Sequence, residues 1–287
     1  MLDNSQIHLR DPYVYVEGGV YYLYGTTGRN AWDGPGEGFD VYTGADLTHW
    51  EGPFPAFRPG KDFWGTMNFW APEMHAYQGR YYLLASFKSP AHYRGTAVLR
   101  ADSPMGPFEP LSQGAVTPAD WECLDGTLYV EDGQPYMIFC HEWKQVDDGT
   151  MCLMPLSSDL SAAAGEPVTL FKATDAPWVR SHDGSGAHFV TDGPFLHRAG
   201  SGALLMLWSS FGEEGYAIGY AVSQSGAVRG PWRQCERPIF AKDGGHGMLF
   251  TDLEGRLRLP IHNPNTTGLE RPLFLTVRER GDALERI

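Results

Sequence analysis

The chain has 287 residues, of which 13% are aromatic, with 35 glycines, 21 prolines and a formal net charge of −13. That length buries a core for one large all-β domain or two ordinary ones, and the Gly–Pro–aromatic balance favours many short strands over helices. The acidity argues against nucleic acid or an anionic membrane surface as partner and leaves a neutral substrate open.

Residues 9–24 read as a strand, a Gly18-Gly19 turn and a second strand, filled with aromatic and β-branched residues and opened by Arg10-Asp11-Pro12. The same pattern returns at residues 73–84, 125–138, 192–208 and 246–259, each copy led by an ionisable residue. A second, more polar pair follows the first four copies: 39–43 with 46–50, 96–101 with 103–108, 151–156 with 158–160, and 217–222 running through 226–232. A Gly-Pro-aromatic turn recurs at the same place in two repeats, Gly106-Pro107-Phe108 and Gly230-Pro231-Trp232. About four strands per repeat and five repeats predict an all-β, five-bladed β-propeller, whose closure removes most sheet edges. Helix signals are nearly absent, and no linker divides the chain, so residues 1–287 are expected to form one propeller domain.

The cysteines, Cys123, Cys140, Cys152 and Cys235, lack CxxC spacing and read as reduced thiols or small apolar fillers rather than a disulfide scaffold or zinc site. No apolar run spans a bilayer, and residues 1–10 carry no signal-peptide pattern. The expected compartment is the cytoplasm, or the outside of the cell if a signal has been removed.

In a radial array the first strand of each blade lines the central channel. Asp11, Glu73, Asp125, Asp192 and His246, which open the repeats, are therefore expected to converge near the axis. Trp32, Trp64, Phe69, Trp70, Trp143, Trp178 and Trp208 lie in or beside loops leading to the same face. Carboxylates with tryptophans are the ingredients of a sugar site: acids for proton transfer, aromatic faces for the apolar side of a ring. There is no P-loop, no G-x-S-x-G elbow and no Cys/His cluster with catalytic-metal spacing.

Arg10-Asp11-Pro12, Trp70-Ala71-Pro72-Glu73-Met74-His75, Leu124-Asp125-Gly126, Asp192-Gly193-Pro194 and Gly245-His246-Gly247, in this order, resemble glycoside hydrolase family 43 over nearly the whole chain. The Trp-Ala-Pro-acid-x-His element is the most specific piece. The resemblance implies an inverting, exo-acting glycosidase on plant-type poly- or oligosaccharides, most similar to α-L-arabinofuranosidases or β-xylosidases. It matches Asp11 to the general base that activates water and Asp125 to the acid that tunes and orients the proton donor. That donor is usually a Glu before Gly-Pro; here it is Asp192, whose arm is shorter by about one C–C bond, and catalysis responds to misplacement of about 1 Å.

Three accounts stay open. The fourth blade leans inward and Asp192 is the acid; Glu142, in His141-Glu142-Trp143, reaches in as the acid; or the acid is missing and the propeller binds sugar without turnover. Glu73, Trp70 and Trp143 are read as substrate-wall residues, and Arg10 as a neighbour of the base or a bridge between blades. The resemblance places His246 on the axis, where it could hold a calcium ion or water, and implies no required cofactor. Because calcium prefers oxygen, waters would supply most of its coordination. His75, His188 and His262 read as hydrogen-bonded core or rim residues. The loops 28–40, 58–69 and 174–190 are expected to select the sugar.

Overall fold

Two consecutive left-handed residues make the tightest β-hairpin turns, and three such turns stand among the described residues. Gly18-Gly19, Gln78-Gly79 and Asp132-Gly133 all have positive φ. They join Arg10–Glu17 to Val20–Thr26, Met67–Tyr77 to Arg80–Ser89, and Cys123–Glu131 to Gln134–His141. The backbone twist of such turns matches that of paired strands, and glycine adopts it without steric cost.

The computed structural model describes residues 1–28, 31–32 and 34–287, so Arg29, Asn30 and Asp33 of loop 28–40 lie outside the described residues. Five antiparallel sheets follow one another along the chain. The first runs from Arg10–Glu17 on the inside through Val20–Thr26, Phe39–Gly44 and His49–Phe57, with Leu2–Asp3 added outermost. The second comprises Met67–Tyr77, Arg80–Ser89, His92–Ala101 and Glu109–Pro110; the third, Cys123–Glu131, Gln134–His141, Thr150–Pro155 and Val168–Lys172. Asp192–Arg198, Leu204–Gly212, Gly215–Ser223 and Trp232–Gln234 make the fourth, and Phe250–Thr251, Leu257–Asn263, Arg271–Arg280 and Ala283–Arg286 the fifth. This is the five-bladed β-propeller read from the repeats.

Several elements differ from the sequence reading, among them the outer strands of the second and fourth blades, which are Glu109–Pro110 and Trp232–Gln234 rather than residues 103–108 and 226–232. The third blade's outer strand is Val168–Lys172 rather than residues 158–160, because Asp159 Oδ1 gathers the Ser157 hydroxyl and the Ser161 amide and hydroxyl into a turn. The fifth blade has two outer strands, Arg271–Arg280 and Ala283–Arg286, that the repeat comparison missed. A single helical turn, Trp143–Val146, follows Glu142.

The cores lie between neighbouring sheets. Phe39, Phe57, Phe69 and Phe87 pack between the first and second blades, and Trp178 and Trp208 between the third and fourth. Trp208 is fully buried, Trp178 nearly so, and Trp64 packs edge-on against Phe87. Phe69, Trp64, Trp178 and Trp208 are thus packing residues, not members of the expected aromatic face. All four cysteines are buried and unpaired, as the filler reading required.

On or just ahead of each inner strand a left-handed residue recurs: Asp11 (φ 53°), Ala71 (45°), Asp125 (56°), Gly193 (52°) and His246 (50°), with Asn68 (51°) a second one in the second blade. In the first four blades the ladder slips its register there, between Arg10 and Tyr13, Trp70 and Glu73, Leu124 and Thr127, and Asp192 and Phe195. Such bulges re-aim side chains out of the ladder. The equivalent positions are therefore Asp11, Ala71, Asp125, Gly193 and His246, which moves Glu73 and Asp192 out of the alignment the repeats suggested. Glu73 lies two residues further along its strand, and Asp192 one residue earlier.

Candidate active site

The bulges surround the floor of a cavity of about 580 Å³, lined among others by Arg10, Asp11, Asp125, Asp192, Tyr216 and His246. Asp11 is buried, and its Oδ1 lies 3.1 Å from His246 Nδ1 and 3.5 Å from His262 Nδ1, while Oδ2 accepts from the Thr26 hydroxyl at 2.7 Å. Burial alone would raise the proton affinity of Asp11; His246, Arg10 and the Thr26 hydrogen bond outweigh it and hold the carboxyl below its ordinary range. The fully buried His262 ring is pushed down to about 3, by burial first and then by Arg10, and so stays neutral. Its Nδ1 accepts the Asp11 amide at 3.2 Å and its Nε2 faces Asn265 Oδ1 at 3.1 Å.

Asp125 and Asp192 shift the other way. Burial, then the charge of Asp11, drives Asp125 well above the usual carboxylate value, although its Oδ2 accepts the Gly193 amide at 3.0 Å. Asp192 is pushed up to about 7, by burial first and the neighbouring Asp125 second. The Tyr216 hydroxyl donates to Asp192 Oδ2 at 2.9 Å, and its ring stacks on His262 with centroids 5.4 Å apart. Burial and then Asp192 raise the Tyr216 phenol well above normal, so it remains a donor.

Glu142 also lines the cavity, but its Oε2 is engaged by the guanidinium of buried Arg94, and Lys144 Nζ lies 3.5 Å from Oε1. Arg94 further donates to Asn68 Oδ1 at 3.1 Å and lies over the Trp70 ring, 4.1 Å from its centroid. Trp70 meets Trp32 edge to face at 5.1 Å, and the two form one wall with Ala31. Across the cavity Trp143 packs on His182 and His188 at 5.3 and 5.2 Å. Arg10 bonds Glu270 Oε1 at 2.9 Å and lies 5.0 Å from the Trp32 ring, so it both lines the cavity and ties the first blade to the fifth.

The structure brings together Asp11, Asp125, Asp192, Glu142, Trp70, Trp143, Arg10 and His246. Glu73 is the exception: it does not line the cavity but pairs with His75 Nε2 at 3.1 Å, because the bulge at Ala71 displaces it along the strand. Tyr216, Thr26 and Arg94 escaped the sequence reading, while His262, read as a hydrogen-bonded core or rim residue, is buried and hydrogen-bonded and also faces Asp11. For Thr26 and His262 the signal was present, since both face the inner-strand bulge from the second strand of their blade, but only the corrected alignment exposes it.

At the axis His246 offers one imidazole nitrogen beside the carboxylates of Asp11 and Asp125, so a calcium ion there would draw most of its ligands from water. Calcium takes about six to eight oxygen ligands. The carboxylates recorded near His246, those of Asp11 and Asp125, already face its Nδ1 at 3.1 and 3.7 Å, and no group of three or more His, Cys, Asp or Glu side chains is set to hold a metal among the described residues. Likewise, no helix among the described residues is long and apolar enough to cross a membrane.

Residues 5–279 match the family model described as Glycosyl hydrolases family 43. The chain belongs to glycosyl hydrolase family 43. Among solved family structures, an endo-arabinase from Bacteroides thetaiotaomicron superposes with a TM-score of 0.90 at 43% identity, covering 98% of each chain. An extracellular exo-α-(1→5)-L-arabinofuranosidase, ArbA of Cellvibrio japonicus, is 24% identical over 250 residues, or 79% of this chain and 67% of its own. α-L-arabinofuranosidase 43 of Humicola insolens is 20% identical over 67% of this chain and 41% of its own length. This family 43 chain is accordingly a glycoside hydrolase, with a glycan as substrate.

Proposed function

We propose that this family 43 enzyme hydrolyses α-L-arabinofuranosyl linkages in arabinan-type glycans with inversion at the anomeric carbon, and that residues 1–287 act as one catalytic unit. One observation carries the reading: buried carboxylates on different blades have proton affinities driven apart, Asp11 downward and Asp192 up to about 7. Asp11 takes a proton from the attacking water, and His246 and Arg10 stabilise its charge beforehand. Asp192, held by Tyr216, delivers a proton to the leaving oxygen. Asp125 and Asp192 are buried close enough that both cannot ionise, so the pair retains a proton for delivery.

Glu142 is the weaker acid candidate, because both its oxygens are already engaged, Oε2 by the Arg94 guanidinium and Oε1 by Lys144 Nζ at 3.5 Å. Despite its shorter arm, Asp192 lines the cavity and is held there by the Tyr216 hydroxyl. A cavity-facing Asp192 raised to about 7 supports turnover over the silent-binder alternative. Two relatives named for arabinose chemistry, one endo-arabinase and one exo-acting arabinofuranosidase, favour arabinose over xylose. The exo mode inferred from the sequence rests on the second of these. The name of ArbA also favours action outside the cell over the cytoplasm.

The test is a substrate panel: 4-nitrophenyl α-L-arabinofuranoside, 4-nitrophenyl β-D-xyloside and linear α-1,5-arabinan, with the released anomer followed by proton NMR. The β-anomer of arabinose appearing first supports the reading. The α-anomer first, or cleavage of the xyloside alone, overturns it. Single arabinose units from arabinan support exo action, and mixed oligosaccharides endo action.

A further inference from the structure

The equivalent left-handed residues share one hydrogen-bond pattern, and it breaks at a single junction. Elsewhere the amide of that residue donates to a side chain on the second strand of the preceding blade. Ala71 donates to Thr26 Oγ1 at 2.8 Å, Asp125 to Ser86 Oγ at 2.9 Å, His246 to Ser209 Oγ at 2.8 Å and Asp11 to His262 Nδ1 at 3.2 Å. These acceptors are equivalent by register. Thr26 lies opposite Arg10, Ser86 opposite Trp70, Ser209 opposite Asp192 and His262 opposite Gly245, in each case the residue before the bulge.

Opposite Leu124, in the third blade, the same position is Cys140. Its thiol is fully buried and directed to the Met151 sulfur at 3.9 Å. The Gly193 amide, which this position would serve, donates instead to Asp125 Oδ2 at 3.0 Å. That amide belongs to the peptide joining Asp192 to Gly193, so the bond ties the Asp125 carboxylate to the backbone that carries Asp192.

We propose that Cys140 is a positioning residue for Asp125: a thiol at this junction leaves the Gly193 amide to the carboxylate, where a hydroxyl would claim it. Sulfur is a weak acceptor, whereas a serine hydroxyl accepts strongly and does so at two of the other junctions. The inference rests on the reading of Asp125 and Asp192 as partners in proton delivery.

The test compares Cys140→Ser with Cys140→Ala. The alanine cannot accept the amide; the serine can. With α-1,5-arabinotriose, kcat of the serine variant should fall at least about tenfold below that of the alanine variant while KM changes by less than about threefold, as loss of a transition-state interaction requires. In an Asp125→Ala background, where residue 125 can no longer accept the Gly193 amide, the two variants should have the same kcat. A crystal structure of the serine variant should show the Gly193 amide on the new hydroxyl and released from residue 125. A filler role predicts instead that alanine, which leaves a cavity, is at least as damaging as serine. That order, or a serine-variant structure with the amide still on Asp125, overturns the proposal. If the wild-type enzyme leaves arabinotriose intact, the arabinan reading fails on its own, and the structure of the serine variant still decides this one.

Discussion

Removing the Asp11 carboxylate is expected to cost more activity than any other substitution at the cavity floor that keeps its side chain's shape. Asp11→Asn preserves shape and withdraws the base, so kcat should drop by about 10²–10⁴, the usual worth of general base catalysis, with an unchanged far-ultraviolet circular dichroism spectrum. Turnover near wild type would remove Asp11 from its role.

Asp192 gives a signature in pH. Its folded proton affinity is raised to about 7 from an ordinary 3.8. Below about pH 4 both folded and unfolded chains hold this proton. Between there and about 7 the unfolded chain loses it first, so unfolding releases a proton and stability falls as pH rises. Asp192→Asn removes this penalty, and its Tm should exceed that of the wild type at pH 8 but match it at pH 4. A constant difference across that range would mean Asp192 is not held protonated by its surroundings. In the active enzyme the same ionisation should form the alkaline limb of kcat/KM.

At the scale of the element, the bulge decides what the inner strands can present. A left-handed residue costs little when it is glycine and roughly 1–2 kcal/mol otherwise, so Asp11, Asp125 and His246 are held there by their surroundings. Gly193 has a second constraint. A Cβ at this position would lie 2.7 Å from His246 Cδ2, in addition to the cost of φ +52°. Gly193→Ala should lower Tm by several degrees and displace the His246 ring from Asp11, cutting kcat. Retained kcat at a lower Tm would show that the ring need not stay where it is.

The same bulge explains what the sequence disclosed and what it hid. Hairpins announced themselves by alternating aromatic and β-branched residues around Gly-containing turns. Asp11, Asp125 and Asp192 announced themselves by preceding Pro or Gly, and Glu73 by following Trp70-Ala71-Pro72. Their alignment did not, because Glu73 and Asp192 lie on either side of the equivalent residue, and only the register of the ladder separates neighbours in sequence. Arg94 was illegible for another reason: it stands on a third strand, and its partners Glu142, Asn68 and Trp70 come from elsewhere in the chain.

For the whole molecule, closure of the ring brings residues from all five blades to one cavity. The repeats implied that ring, but not how it is fastened. Phe274 of the fifth blade stacks on Trp50 of the first, with centroids 5.8 Å apart. The buried Glu270 carboxylate binds Arg10 at 2.9 Å and His8 at 3.1 Å. Removing one partner of such a pair leaves the other charge uncompensated, which typically costs about 3–5 kcal/mol. Glu270→Ala should therefore lower the denaturant midpoint markedly and weaken Asp11 through the freed Arg10. An unchanged midpoint would show that the junction is closed by apolar packing alone.

The opposed roles of Asp11 and Asp192 depend on Asp192, rather than Glu142, supplying the proton, and leaving-group dependence reads that directly. We compare kcat of Asp192→Asn and Glu142→Gln on 2,4-dinitrophenyl and phenyl α-L-arabinofuranosides, the first of which departs without protonation. Asp192→Asn should lose about 10²–10⁴ on the phenyl glycoside and recover most of it on the dinitrophenyl one, while Glu142→Gln loses equally on both. Rescue of Glu142→Gln alone would contradict the account.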